Sequence, residues 1–250
     1  MYLNDDGIRL SVRLNEPDNA KRNAEGKMPI CIVVHGFSGY TDEPHILAAT
    51  KAIYDAGFAT LNVDMYGHGE SDGTFKEHTL FKWMGNMMCV IDYVRKLDKY
   101  SDIYLCGHSQ GGLMVLLAAA LKHEFIRGIV MLSPALMIPD EARRGDMLGH
   151  KFDPANIPEE IDFDDGFILG NNYVRVAQTI DVNRAIDAYD GEVLIIHGDD
   201  DETCSLSGVQ KFMPRFKNAE LIVIPDETHC YDRHLDQVVM HINKHFSSKN

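Results

Sequence analysis

Runs of buried-strand character alternate with helical spacings along most of this chain. Ile30-Cys31-Ile32-Val33-Val34 is continuous, apolar and largely β-branched, the pattern of a strand covered on both faces. Comparable runs recur over residues 59–63, 103–106, 129–132, 193–196 and 221–224. Between most of them, apolar residues return at helical spacing over 45–55, 80–97, 113–121, 206–216 and 231–246. Strand followed by helix, repeated, predicts an α/β fold with a mostly parallel sheet flanked by helices. Residues 8–14 alternate apolar and polar instead, as a half-buried early strand does, and 16–27 is a polar loop with Pro17 and Gly26. No internal repeat divides the sequence, so residues 1–250 are expected to form a single domain.

The alternation fails over 135–180. That interval has no buried-strand run and is punctuated by Pro139, Pro154, Pro158, Gly145, Gly149, Gly166 and Gly170. Long irregular intervals in compact domains are usually functional. We read 135–180 as a small inserted cap over the C-terminal edge of the sheet, where ligands bind in open α/β folds.

Charge and cysteine content narrow the partners. With 24 Lys+Arg against 38 Asp+Glu, the net charge is −14. This argues against nucleic acid, where basic side chains supply most of the affinity, and against an anionic membrane surface. No apolar run approaches the roughly 20 residues of a membrane span. The first six residues lack the basic and apolar blocks of a signal peptide. Five scattered cysteines without a CxxC pair suggest neither a disulfide framework nor a cysteine zinc site. A cytoplasmic location is expected.

The chemistry concentrates at strand ends. Gly107-His108-Ser109-Gln110-Gly111 follows the 103–106 run and precedes an apolar helix, the context a G-x-S-x-G nucleophile elbow requires. Larger side chains two residues to either side of Ser109 would collide across such a turn, and the helix start places N–H groups and a positive dipole end beside the serine. A serine hydroxyl needs a base, and the order expected in this arrangement is Ser, then Asp or Glu, then His. Pro225-Asp226-Glu227-Thr228-His229 follows the last strand run and supplies His229 as base. His197-Gly198-Asp199-Asp200-Asp201-Glu202 follows the preceding one and supplies the acid. Position alone does not choose among Asp199, Asp200, Asp201 and Glu202. The turn His35-Gly36-Phe37-Ser38-Gly39 can aim a backbone N–H at a tetrahedral oxygen, so the two oxyanion donors are assigned to the N–H groups of Phe37 and Gln110. His35 is read as orienting that loop.

These motifs, with Asp64-Met65-Tyr66-Gly67-His68-Gly69-Glu70-Ser71-Asp72-Gly73, Thr228-His229-Cys230-Tyr231 and Asn172-Tyr173-Val174-Arg175-Val176-Ala177-Gln178, give a resemblance over almost the whole chain. It resembles α/β-hydrolase serine esterases, and among them the bacterial cinnamoyl (feruloyl) esterases. The resemblance implies Asp201 as the acid of a Ser109–His229–Asp201 triad. It implies a cap embracing a hydroxycinnamoyl group, with Tyr173 and Asp140 as partners of its aromatic hydroxyl. It implies no cofactor and a small aromatic ester as partner; a homodimer is compatible with it. One departure stands out: such enzymes often carry Val-Pro soon after the acid, where this chain has Cys204-Ser205.

Other features read as structure. His241 and His245 lie one helical turn apart, but without a Glu or third ligand they suggest a solvated face and no metal. The acidic run lacks an EF-hand ligand loop. Cys230 reads as an inert thiol, and Trp83, Met84, Met87 and Met88 as helix packing. The competing activities are a lipase of monoacylglycerol-lipase type, a general carboxylesterase and a non-catalytic binding protein. A lipase should have a strongly apolar cap, whereas this one carries Asp140, Glu141, Arg143, Arg144, Lys151 and Asp153; a binding protein should have a degraded triad.

Overall fold

The computed structural model describes residues 1–163 and 166–249. In chain order the elements are β1 (Tyr2–Asp5), β2 (Ile8–Asn15), β3 (Met28–Val34), α1 (Pro44–Asp55), β4 (Ala59–Val63), α2 (Leu80–Lys96), β5 (Tyr100–His108), α3 (Gln110–Leu121) and β6 (Ile126–Leu132). The interval 135–180 follows with α4 (Ile138–Arg144), β7 (Asp146–Met147), β8 (His150–Lys151), β9 (Glu160–Asp162), β10 (Ile168–Gly170) and α5 (Asn171–Thr179). The chain then returns through α6 (Val182–Ala188), β11 (Glu192–Gly198), α7 (Leu206–Gln210), β12 (Ala219–Ile224) and α8 (Leu235–Ser247).

Eight strands form one sheet in the order β1-β2-β4-β3-β5-β6-β11-β12. Only β1 and β2 run antiparallel to their neighbours; β4 through β12 pair in parallel. Every residue of β4 and all of β11 beyond Glu192 are buried, because helices cover both faces. On one face lie α1 and α8, packed through Ile46, Ile53, Val238, Ile242 and Phe246. On the other lie α2, α3, α6 and the 135–180 interval. α3 is apolar around most of its circumference and buried from Gln110 to Leu116, as a helix enclosed between a sheet and other helices must be. Trp83 and Met87 are fully buried and Met84 and Met88 partly so, all packed into this second core.

The connection from β3 leads to β4 on one side, and that from β5 leads to β6 on the other. Between β3 and β5 the sheet therefore has a topological switch point, with a crevice outside the carboxyl ends of the two strands. The turns carrying Phe37 and Ser109 both open there.

Several elements differ from expectation for identifiable reasons. The 206–216 helix is α7 followed by a separate 3-10 turn, Met213–Arg215, because Pro214 has no N–H to continue an α-helical ladder. The 231–246 helix begins only at Leu235. The Glu227 carboxylate takes the N–H groups of Arg233 (3.2 Å) and His234, and Tyr231 sits at φ 61°. β1 and α6 are short and carried no distinct pattern. The 135–180 interval is not irregular throughout: Tyr173, expected in an irregular stretch, lies on α5. Among its described residues the strands pair antiparallel as β7 with β8 and β9 with β10, each too short to read as a run.

Two glycines make opposite stability predictions. A Cβ on Gly111 would stand 2.4 Å from the His35 carbonyl oxygen and 2.6 Å from that of Val34. Gly111→Ala must push β3 and α3 apart and is expected to cost about 1–3 kcal/mol. A Cβ on Gly85, within α2, would meet only the Asp5 carboxylate at 3.6 Å. Gly85→Ala should stabilise by about 0.5–1 kcal/mol, because alanine loses less backbone entropy in a helix. Urea unfolding midpoints check both; a lower midpoint for Gly85→Ala, or an unchanged one for Gly111→Ala, would contradict the packing described.

Candidate active site

Ser109 sits between β5 and α3 at φ 54° and ψ −120°, a conformation costly for a residue with a Cβ. It is held there from both sides. The Ser109 N–H donates to the Leu132 carbonyl at 2.8 Å, and the Ser109 carbonyl accepts from Gly112 at 2.9 Å and Ala135 at 3.0 Å. Bulk at the flanking glycines is excluded as expected, since a Cβ on Gly107 would lie 2.2 Å from the Gly111 carbonyl oxygen. Ser109 is 6% exposed.

His229 follows β12 on a short loop. Its Nδ1 lies 2.8 Å from Asp201 Oδ2. The Asp201 side chain is fully buried and comes from the loop after β11. Its Oδ1 accepts the N–H groups of Thr203 (3.0 Å) and Cys204 (2.7 Å), and Oδ2 is also 3.3 Å from His197 Nε2. Burial by itself would raise this carboxyl, but the hydrogen bonds from His197 and His229 outweigh it and hold Asp201 well below the usual carboxylate range. The other acidic candidates face away: Asp199 accepts the Asp226 N–H at 2.6 Å, Asp200 pairs with Arg233 at 2.6 Å, and Glu202 is exposed.

The His229 loop is organised by a residue the sequence analysis did not single out. Glu227 is fully buried, and its carboxylate accepts the Thr228 N–H (2.7 Å) as well as the two amides beyond the histidine. Nothing in its local pattern distinguishes it, because its partners come from the turn it creates.

Phe37 and Gln110 are brought together at the switch point. Among the described residues, neither backbone N–H has a hydrogen-bond partner. The Phe37 turn is fixed by His35, whose Nδ1–H donates to the Gly36 carbonyl (2.8 Å) while its Nε2 accepts the Met65 N–H (3.0 Å). Burial, reinforced by nearby His68, pushes the His35 pKa down to about 3, so it stays neutral and orients the loop. His68 places Nε2 2.5 Å from the Phe37 carbonyl. The stretch Asp64–Gly73 thus braces the Phe37 turn.

Ser109, His229 and the Phe37 turn line one cavity of ≈ 210 Å³. Its far wall comes from the 135–180 interval through Ile138, Met147, Leu148 and Tyr173. Leu148 occupies the tight turn between β7 and β8 at φ 47°. Tyr173 is fully buried; its ring meets that of Phe37 edge-on with centroids 5.5 Å apart, and its hydroxyl donates to Gln110 Oε1 at 2.5 Å. Asp140, expected beside Tyr173, is not brought to the cavity. Its side chain is 40% exposed and pairs with Arg143 at 2.8 Å and Lys211 at 2.9 Å. Its place in the first turn of α4, with Arg143 three residues on, turns the carboxylate outward to those cations.

Cys204, where the resemblance had anticipated a different residue pair, lines the same cavity and turns its thiol to the Ser109 side chain. Burial raises its pKa well above the ordinary thiol value, leaving a neutral, weakly polar wall beside the serine.

The chain is similar to several known proteins. Est1E from Butyrivibrio proteoclasticus, solved with ferulic acid bound, is 50% identical, with a TM-score of 0.94 over 98% of this chain and 97% of that one. Human palmitoyl-protein thioesterase ABHD10 is 30% identical over 125 residues, 49% of this chain and 40% of that protein. Caffeoylshikimate esterase from Arabidopsis thaliana is 26% identical over 159 residues, 57% of this chain and 46% of that enzyme. The match thus spans less than half the length of these two curated relatives. Among the described residues, no helix is long and apolar enough to cross a membrane. Residues 27–159, more than half of the chain, match the family described as serine aminopeptidase, S33, and the chain belongs to that family of α/β hydrolases.

Proposed function

We propose that this chain is a serine carboxylic-ester hydrolase acting on hydroxycinnamoyl esters, with Ser109 as nucleophile, His229 as base and Asp201 as the acid that orients His229. One observation carries the reading. A serine held in a strained turn and a histidine bonded to a buried carboxylate line one cavity, beside two backbone N–H groups that have no partner among the described residues.

The chemistry follows from that arrangement. Ser109 Oγ attacks the ester carbonyl as His229 Nε2 takes its proton, and the charged Asp201 stabilises the imidazolium that forms. The carbonyl oxygen, now negative, accepts the N–H groups of Phe37 and Gln110; removing one such donor typically costs ~10²–10³ in rate. His229 returns the proton to the departing alcohol. Water then attacks the acyl-enzyme, again giving its proton to His229, which returns it to Ser109 Oγ as the acyl–serine bond breaks and the carboxylic acid leaves.

The acyl preference rests on size, on Tyr173 and on the ferulic acid bound by Est1E. Engineered cavities of about 150 Å³ bind benzene, so ≈ 210 Å³ accommodates one ring with a short linker. The interval 135–180 acts as the cap that closes over it. Because the Tyr173 hydroxyl spends its hydrogen on Gln110 Oε1, its lone pairs remain to accept from a phenol at the far end of the acyl group. A buried phenol without such a partner costs about 1–3 kcal/mol.

Three experiments test the assignment. Ser109→Ala should abolish turnover, by up to ~10⁶ in kcat, with an unchanged circular dichroism spectrum; more than a few per cent residual activity in a clean preparation would exclude Ser109. Asp201→Asn should lose roughly 10³–10⁴ in kcat, while Asp199→Asn and Asp200→Asn lose far less. A comparable loss at Asp199 would move the acid. Tyr173→Phe should lower kcat/KM for a feruloyl ester several-fold to ~50-fold and leave a short acetyl ester nearly unchanged. An equal fall for both esters would assign Tyr173 to holding the Gln110 side chain; faster turnover of long-chain acyl esters than of feruloyl esters would replace the hydroxycinnamoyl reading with a lipolytic one.

A further inference from the structure

Beside His229, three donor atoms converge. His45 Nε2, His108 Nδ1 and Cys230 Sγ all lie within 4.8 Å of one another. His45, from α1, is 4% exposed and His108, at the end of β5, is 3% exposed. His45 Nε2 and His108 Nδ1 are 3.1 Å apart, and Glu43 Oε2 stands 3.9 Å from His45 Nε2. Glu43 and His108 also line the cavity that holds Ser109, which gives an ion a route in from solvent.

The two histidines are neutral, as metal ligands are, whereas burial raises the Cys230 thiol to about 11, so the ion itself must displace that proton. His108 Nε2 is 2.9 Å from the His229 carbonyl oxygen. A carbonyl can only accept, so Nε2 carries the hydrogen. Burial, then the neighbouring His229 and His45, pushes the His108 pKa well below its ordinary value, so the ring is neutral and Nδ1 is its acceptor nitrogen, turned to His45 Nε2. An imidazole that donates its second N–H to a backbone carbonyl is oriented as metal-bound histidines usually are. Burial likewise lowers the His45 pKa to about 4, leaving a second neutral ring. At present its Nε2–H donates to His108 Nδ1; on ligation the ring would carry its hydrogen on Nδ1 instead.

We propose that His45, His108 and Cys230, with Glu43 as a fourth donor, form an inhibitory site for a borderline-soft divalent cation such as zinc. Two imidazoles, a thiolate and a carboxylate are a zinc-type donor set. On binding, the Cys230 thiol releases its proton to solvent and the sulfur bonds the ion; no redox change is involved. Tetrahedral ligation at bonds of about 2.0–2.3 Å needs donors roughly 3.4–3.8 Å apart, so the more separated atoms of the cluster must draw together. The consequence for hydrolysis is direct because two ligands are chain neighbours of reacting residues: His108 precedes Ser109 and Cys230 follows His229. The His108 and His229 rings are themselves 4.7 Å apart. A displacement of ~1 Å at reacting groups costs on the order of 10²-fold in rate.

Cadmium titration of the full chain, free of thiol and phosphate, reads binding without reference to any ester. A saturable ultraviolet thiolate-to-cadmium charge-transfer band, at one ion per chain, is expected. Cadmium and zinc should each lower hydrolysis of 4-nitrophenyl acetate at least about tenfold, with EDTA restoring it. Cys230→Ser should keep basal hydrolysis but lose the band and the inhibition. His45→Gln keeps the thiol and should bind cadmium at least about tenfold more weakly, whereas Cys204→Ala should keep the band. The site is overturned if the wild type shows no saturable band, if the band follows Cys204 or survives in Cys230→Ser, or if His45→Gln binds as tightly as the wild type. Saturable binding without loss of hydrolysis would refute its inhibitory role.

Discussion

The close approach of two strand-end turns is the constraint on which the remaining geometry depends. β3 and β5 are neighbours in the sheet, and the chain leaves their carboxyl ends in opposite directions. Gly111, at the first turn of α3, packs against the His35 and Val34 carbonyl oxygens at distances that exclude a Cβ. That contact seats the amino end of the helix against the Phe37 turn and brings together two N–H groups from distant parts of the sequence that have no partner among the described residues. It also sets where Ser109 projects, and therefore where His229 and Asp201, arriving from β12 and β11, must meet it. The strained dihedrals of Ser109 are tolerated because its backbone is held by hydrogen bonds, donated to the Leu132 carbonyl and accepted from the Gly112 and Ala135 N–H groups.

Buried histidines do much of the positioning. His35 joins the β3 and β4 turns through one donor and one acceptor nitrogen, and His108 ties the end of β5 to the His229 carbonyl. Burial lowers the pKa of both. Each therefore offers one N–H and one lone pair with fixed roles, and neither adds charge beside His229. The charged member of the site is Asp201, whose negative form is stabilised by hydrogen bonds that outweigh its burial. The site thus concentrates one buried negative charge where a developing imidazolium would need it.

The parallel sheet, the elbow and the histidine loop were legible in the sequence because each is local: a β-branched run of about five residues, a glycine pair around a serine, a histidine just after a strand. The choice of Asp201 over its acidic neighbours was not local, since it depends on which carboxylate the 199–202 turn directs inward, and only the resemblance singled it out. Glu227 escaped notice because its partners are backbone amides of the loop it shapes. The start of α8 was misplaced for the same reason, with side-chain acceptors competing for the first N–H groups of a helix-like pattern. Asp140 was misjudged because the resemblance identifies a position on α4 but not the cations, Arg143 and Lys211, that face it. Tyr173 was recognised as a candidate, yet its link to Gln110 joins residues 63 positions apart, beyond any local pattern.

The two-part construction of the cavity bears on how such a pocket can change. Gly36, Ser109 and His229 are delivered by the sheet, whereas Ile138, Met147, Leu148 and Tyr173 belong to the stretch between β6 and α6. The entropic cost of closing a loop rises only logarithmically with its length, about 0.6 kcal/mol for each doubling. Residues can therefore be added to or removed from this stretch at little thermodynamic cost, provided its two ends stay where β6 and α6 hold them. Lineages carrying this architecture are free to exchange acyl pockets by insertion and deletion, while the sheet that houses the serine stays unchanged.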